Sequence, residues 1–404
     1  MSETSAVATP ATESPPNMLG QIETDERTWW HRNREAFSLR SAGAVYALIS
    51  LVTFFTIRAA QVDRPNYLSS ANVGNVLEQS SLIAIMAVGM TVLLISGNFD
   101  LSVASNAAMS SMAAAMMVDT LGPFGAVLFG LGVGTVGGLI NGLVHWYVGV
   151  NSFIVTLGTL TAFRGMVLFM NDSQEKLITP EQHDTLEAWA GGFIGSIEVA
   201  LIATIGLAVA AAIVFRNGQQ WLATGLAVAT VIAAGLTAFT DYSVRIAHNT
   251  FFLAILLLVV WFVLKYTVTG RRLYATGGNI DAARAAGIVV ARYRVVPFVL
   301  VGFCAGMAGV INLSRVGAVS PTLLQARELD VIASAIIGGV ALTGGSGNVL
   351  KTVVGAILLF VMTNGFTIIG LSPVIAEIAI GVLVVVSASL YVVAARRAAA
   401  AGKV

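Results

Sequence analysis

The sequence predicts an all-α polytopic membrane protein of about twelve transmembrane helices, some broken into half-helices. Three observations predict it. Of its 404 residues, 56% are hydrophobic and only 11% are charged, against about 25% charged in soluble domains. Mean hydropathy is +0.84. The apolar residues fall in runs of about 20, long enough to cross a hydrocarbon core of about 30 Å, and the largest polar interruption is Lys265 to Arg294. A net charge of +1 argues against a nucleic-acid partner. The single cysteine, Cys304, has no partner for an intrachain disulfide. His31, His145, His183 and His248 make no ligand spacing. No metal or cofactor is expected on this chain.

Residues 1–40 are rich in Ser, Thr, Pro and Glu and cannot bury a core, so a mobile cytoplasmic segment is expected. Trp29 and Trp30, followed by His31, Arg32 and Arg34, suit a membrane surface. The start is acidic, unlike a cleavable signal peptide. Spans are expected near 41–58, 80–97, 101–118, 123–146, 151–170, 197–215, 220–239, 249–266, 294–313, 328–343, 350–370 and 373–394, so 41–394 form one transmembrane domain. Basic residues precede the first span and, at Arg396, Arg397 and Lys403 of the 395–404 tail, follow the last. Lys/Arg excess marks the cytoplasmic side, which puts both termini inside. Arg216 agrees; Arg58, Arg64 and Arg245 dissent. Loops near 59–79 and 171–196 then face outside, as connectors or as a receiving surface for a partner.

Within span four, Gly130, Gly134, Gly138 and Gly142 recur every four residues and form one narrow face for close helix packing. The same run holds a formal G-x-G-x-x-G at 132–137, but it follows no strand and carries no dinucleotide site. Gly345 to Thr352 (GSGNVLKT) misses the phosphate loop by having Leu350 in place of its second glycine. Ser96 to Ser102 (SGNFDLS) breaks an apolar run, and Asp100 in hydrocarbon would be costly. Asn98, Phe99 and Asp100, with Asn151 and Phe153 at a similar break, are pore or gate candidates; tight turns are the plain alternative. Asp100 is expected either to sit at an aqueous boundary or to cap a half-helix starting at Leu101. Arg164, Glu328, Asp330 and Glu377 read as packing anchors at span edges. IAIMAVGMTVLLISGN from Ile83 faintly matches IASAIIGGVALTGGSGN from Ile332, as an internal repeat would.

The stretch Lys265 to Arg294 sets Lys265, Arg271, Arg272, Arg284, Arg292 and Arg294 against one acid, Asp281. Ile280 to Val289 fits a short helix, with Asp281 at its N-terminal and Gly287 at its C-terminal end. Such a loop either sets topology or offers a helix for a cytoplasmic partner.

Four motifs in fixed order carry a resemblance. They are GMTVLLISGNFDLSVAS from Gly89, NSFIVTLGTLTAFRGM from Asn151, RRLYATGGNIDAARAAGI from Arg271 and ELDVIASAIIGGVALTGGSGNVLKTVVGA from Glu328. Over residues 70–392 the chain resembles the permease subunit of bacterial ABC monosaccharide importers, the ribose, xylose, arabinose and galactose group. The extra two spans at 197–239 make it most similar to the xylose type. The resemblance implies a type II importer fold in the bacterial cytoplasmic membrane. It implies a second copy of the chain, an extracytoplasmic sugar-binding protein, and a cytoplasmic ATPase with two fused nucleotide domains that holds ATP and Mg. It makes 276–288 a coupling helix, with Gly277, Gly278, Asn279, Asp281, Ala283, Arg284 and Gly287 meeting the ATPase. An ion-coupled secondary transporter is the rival reading. It would need Asp100, Asp330 or Glu377 as coupling acids.

Overall fold

The computed structural model describes residues 39–198 and 243–400; the expected N-terminal segment and the spans at 197–215 and 220–239 lie outside the described residues, except 197–198 and Leu39 onward. The compact unit begins at Gly43. Its helices are α1 (Leu39–Gln61), α2 (Ser70–Ile95), α3 (Val103–Leu143), α4 (Ser152–Met170), α5 (Pro180–Leu186), α6 (His248–Tyr266), α7 (Val268–Gly278), α8 (Ile280–Ala285), α9 (Val290–Val316), α10 (Arg327–Ile337), α11 (Val349–Ile368) and α12 (Pro373–Ala400). Four short strands, β1 (Lys176–Leu177), β2 (Phe193–Glu198), β3 (Ser243–Ala247) and β4 (Ala318–Val319), pair antiparallel as β1–β4 and β2–β3.

Seven helices among the described residues are long and apolar enough to cross a membrane. One of them, α3, breaks at Gly122 (φ 69°) before Pro123. Glycine accepts the left-handed turn, and proline starts the next helix where its missing N–H costs nothing. The two legs run antiparallel: Asn106 donates to Gly134 O at 2.9 Å and Asn141 donates to Ser102 Oγ at 2.8 Å. Expected spans three and four are therefore the legs of one hairpin.

Burial ranks the helices. In α2, 83% of the membrane-length window is buried, against 11% in α1 and 22% in α4 and α6. The central helix is α2, whose Ile85, Met86, Met90, Leu93 and Leu94 are all fully buried. Successive helices alternate direction, so the connections collect at two ends. One end holds residues 96–102, 149–151, 267–289 and 338–348. The other holds 62–69, 122–123, 171–198, 243–247, 317–326 and 369–372.

Three expectations change. Helix α2 starts at Ser70, ten residues before the expected span at 80, so the first outer loop shrinks to 62–69. The Ser69 side chain caps it by accepting from Asn72 N. The expected span 328–343 is only an 11-residue helix, α10. At about 1.5 Å per residue it covers about 16 Å, roughly half a bilayer core. The polar stretch from Lys265 to Arg294 is mostly helical, because Thr267 Oγ1 accepts from Gly270 N and starts α7.

Candidate coupling and gate site

The break at 96–102, the glycine run at 344–345 and the end of α7 meet at one end of the bundle. Helix α2 ends at Ser96, and Gly97 takes φ +82°. The loop before α11 turns through Gly344 (φ +86°) and Gly345 (φ +72°). Gly345 N donates to Ile95 O at 2.9 Å, which joins that loop to the end of α2. The last turn of α7 lies against both: a Cβ on Gly277 would run into Ile95 O, and it would stand 2.8 Å from Gly345 N. Only glycine lets three backbones approach this closely.

Side chains tighten the same junction. Arg294, in the first turn or so of α9, donates from Nη1 to Asn98 Oδ1 at 3.1 Å. Asn98 donates in turn to Ser96 Oγ at 3.3 Å. Tyr274 of α7 donates to Gly347 O at 2.8 Å. Burial pushes the Tyr274 phenol above its ordinary range, so the proton stays in place to be donated.

Below the junction α8 projects into solvent. Asn279 caps it, accepting from Asp281 N (3.1 Å) and Ala282 N (2.9 Å). The cap is thus Asn279, whose position just ahead of the helix lets its side chain reach the first free N–H groups, while Asp281 lies in the first turn. Helix α8 stops at Ala285, short of the expected Val289, and Gly287 takes φ +74°. Asp281 and Arg284 are exposed and 3.4 Å apart, a pair worth little in water. Ala283 is buried, Gly278 exposed. Arg271, Arg272, Arg284 and Arg292 all lie exposed on this end, which leaves its surface basic.

The gate candidates divide into two groups. Asn98 (3% exposed) and Asp100 (1%) point into the protein. Asp100 accepts from Ser102 N (2.7 Å), Ser102 Oγ (2.6 Å) and Asn141 Nδ2 (3.2 Å). Helix α3 begins at Val103 and its N-cap position is Ser102, so Asp100 fastens a turn and does not cap a half-helix at Leu101. Phe99 and Phe153 instead meet edge to face, with ring centroids 6.0 Å apart, and Phe153 is 45% exposed. Asn151 caps α4 through Phe153 N at 2.9 Å.

The glycine face of α3 lies on α9. A Cβ on Gly134 would stand 2.6 Å from Gly302 O and Gly306 Cα, and one on Gly138 would strike Phe298 O. Gly130 faces Val310 and Ser110, and Gly142 faces Val295 and Phe298. Sequence reasoning missed the matching Gly302 and Gly306, although their own four-residue spacing was a signal. It also missed Arg294 as the partner of Asn98, since nothing local links residues so far apart. Arg164 holds the 320–326 loop through Pro321 O (3.2 Å) and Leu323 O (2.9 Å).

A family model described as the permease component of branched-chain amino acid transport systems matches residues 72–388. The chain belongs to this permease family. The permease is 33% identical over 344 residues to the xylose transport system permease protein of Escherichia coli K12, covering 80% of this chain and 84% of that protein. It is 30% identical over 349 residues to the ribose import permease protein of Haemophilus influenzae, covering 86% and 91%. The ribose import permease protein of Escherichia coli K12 is 29% identical over 335 residues. No solved structure matches. The chain is therefore a multi-pass membrane transport subunit and not an enzyme in its own right, and its relatives are those to which the four ordered motifs point.

Proposed function

We propose that this chain is the membrane subunit of an ATP-driven importer that moves a monosaccharide, a pentose such as xylose, into the bacterial cytoplasm. The relatives named for xylose and ribose transport support the substrate class. The family description names branched-chain amino acids, but the individual relatives reported above carry sugar names.

One observation carries the mechanism. The basic stretch that carries α8 is joined through Gly277, in the last turn of α7, to Ile95 at the end of α2 and to Gly345 in the loop before α11. A displacement of α8 by a partner is passed directly to the backbone of residues 95–98 and 344–345, where close-packed segments shift as units. The partner supplies ATP, Mg and two nucleotide domains, and residues 276–288 seat in it. A neutral sugar gains nothing from the membrane potential, so accumulation needs such a partner. A second copy of the chain completes the pore, both termini are cytoplasmic, and an extracytoplasmic binding protein delivers the sugar at the opposite end.

The test is Gly278→Asp. A Cβ at Gly278 would have 3.9 Å of clearance from Gly345 Cα, so the exposed acid disturbs the docking face and not the fold. Sugar-stimulated ATP hydrolysis of the assembled transporter falls severalfold while the chain still inserts. Unchanged stimulation removes the coupling assignment. Uptake that persists without the ATPase, and is lost on neutralising Asp330 or Glu377, transfers the chain to the ion-coupled class.

A further inference from the structure

A second polar region lies away from the coupling site, in the half of the bundle next to the opposite end. There a cavity of about 240 Å³ opens between α2, the last turns of α9, α10, α11 and α12. Its polar lining comprises Gln79, Asn312, Arg315, Arg327, Asp330 and Thr363. Phe360 supplies an apolar wall. Polar groups at membrane depth are expensive and mark ligand or ion paths.

The cations of this lining are paired. Arg327 Nη1 pairs with Asp330 Oδ2 at 2.7 Å within the lining, and Arg315 Nε pairs at 2.7 Å with Glu78 Oε1, which is not itself part of the lining. Each lining cation already has an anion, so the cavity is poorly suited to capture a free anion. It offers amide, hydroxyl, guanidinium and carboxylate groups to a molecule that is neutral and rich in hydroxyls. A volume of about 240 Å³ has room for one sugar ring. The loop leading into α10 holds Leu324 (φ +54°) and Ala326 (φ +61°) in left-handed backbone that side chains rarely adopt. Such strain collects where a segment is positioned for function, and Leu324 itself lines the cavity.

We infer that this cavity is a halting site for one monosaccharide within a single protomer, reached before the coupling end. The inference deepens the proposed sugar transport and rests on it. The two guanidinium groups that a passing solute meets are already paired with carboxylates, so binding is weak and release easy.

The test uses the full chain in nanodiscs with Thr363→Cys and a small maleimide. Cys304 is fully buried and adds no background. D-xylose, D-ribose, D-galactose and myo-inositol are added in turn at millimolar levels, with L-leucine as the zwitterionic comparison. At least one sugar or polyol slows labelling about threefold once present at about twice its Kd, and leaves an exposed Val62→Cys control unchanged. Adding Asn312→Ala removes the protection. Asn312→Cys serves in the same way should Thr363→Cys assemble poorly. Equal labelling rates with and without every sugar overturn the inference, as does protection by L-leucine alone. Uptake by the assembled transporter in cells is read separately: intact sugar uptake without protection sinks the cavity and leaves the transport reading standing. Protection without sugar uptake supports the cavity and sinks the transport reading.

Discussion

At the scale of the residue, the chain puts its costly polar groups in the service of backbone turns. Asp100 would be unfavourable in hydrocarbon, and it is held by three donors from Ser102 and Asn141. Asn98 stands between Arg294 and Ser96. Replacing Asn98 by Leu removes the acceptor and leaves a largely enclosed guanidinium without it. An unsatisfied buried group costs about 1–3 kcal/mol. The expected result is a lowered unfolding temperature of the purified permease, together with reduced ATPase stimulation; Asn98→Asp, which keeps an acceptor for Arg294, preserves more of both. Equal melting curves for Asn98→Leu and the parent would show that this contact is incidental.

At the scale of the element, two designs are visible. The first is the contact of α3 with α9, where glycine meets glycine. In lipid there is little hydrophobic drive between helices, so close backbone packing has to supply the attraction. Gly134→Leu forces a side chain against Gly302 O and Gly306 Cα, both backbone atoms that cannot rotate away. Gly132, two residues earlier, has no atom within 4 Å of its missing Cβ. Gly134→Leu should therefore abolish monodisperse protein on size exclusion, whereas Gly132→Leu behaves as the parent. The same loss in both variants would point to helix propensity or insertion and not to packing. The second design is the shared ending of α2 and α10. Gly97 N donates to Leu94 O and Asn98 N to Leu93 O; Gly339 N donates to Ile336 O and Val340 N to Ala335 O. Both are left-handed glycine terminations. The faint sequence repeat aligned Ser96-Gly-Asn with Ser346-Gly-Asn, but the structural counterpart of Gly97 is Gly339. In α11 the second Ser-Gly-Asn serves as a start signal, since Asn348 accepts from Leu350 N at 2.9 Å. One tripeptide thus ends a helix in one place and begins one in another.

At the scale of the whole molecule, the described residues separate two tasks by position. One end gathers the breaks at Gly97 and Gly344 and the basic stretch that carries α8. The half next to the other end carries a polar cavity whose arginines are paired. On the proposed reading, energy enters from a partner through the exposed α8. The purified permease alone in liposomes should equilibrate sugar at most and never concentrate it. Adding its ATPase, binding protein and ATP should restore accumulation. Concentration by the chain alone would end the coupling account.

Much of this was legible in the sequence, but unevenly. Composition and run length are enough to identify membrane helices, because a helix in lipid must satisfy its backbone internally and show apolar side chains over about 20 residues. The breaks at Gly97 and Gly344 were legible because a left-handed turn needs glycine. The short α10 was not, because its flanking residues 338–343 are as apolar as a helix would be and only their hydrogen bonds end it. The start of α2 was hidden by Asn72, Asn75, Glu78 and Gln79, polar residues that lie on a protein-facing helix and not in a loop.

By itself the sequence determined the class of protein, the apolar runs of most membrane helices, several of the places where they break and the basic segment between α6 and α9. Each of these depends on local properties, namely hydrophobicity, glycine conformation and charge. The tertiary structure alone decided that the ends of α2 and α7 and the loop before α11 meet, that Asn98 answers Arg294, that Gly134 sits on Gly302, and that Glu78 pairs with Arg315, a residue of the cavity wall. Those are contacts between residues far apart in the chain, and they exist because a buried backbone or charge must find a partner in space, wherever the chain order has put it.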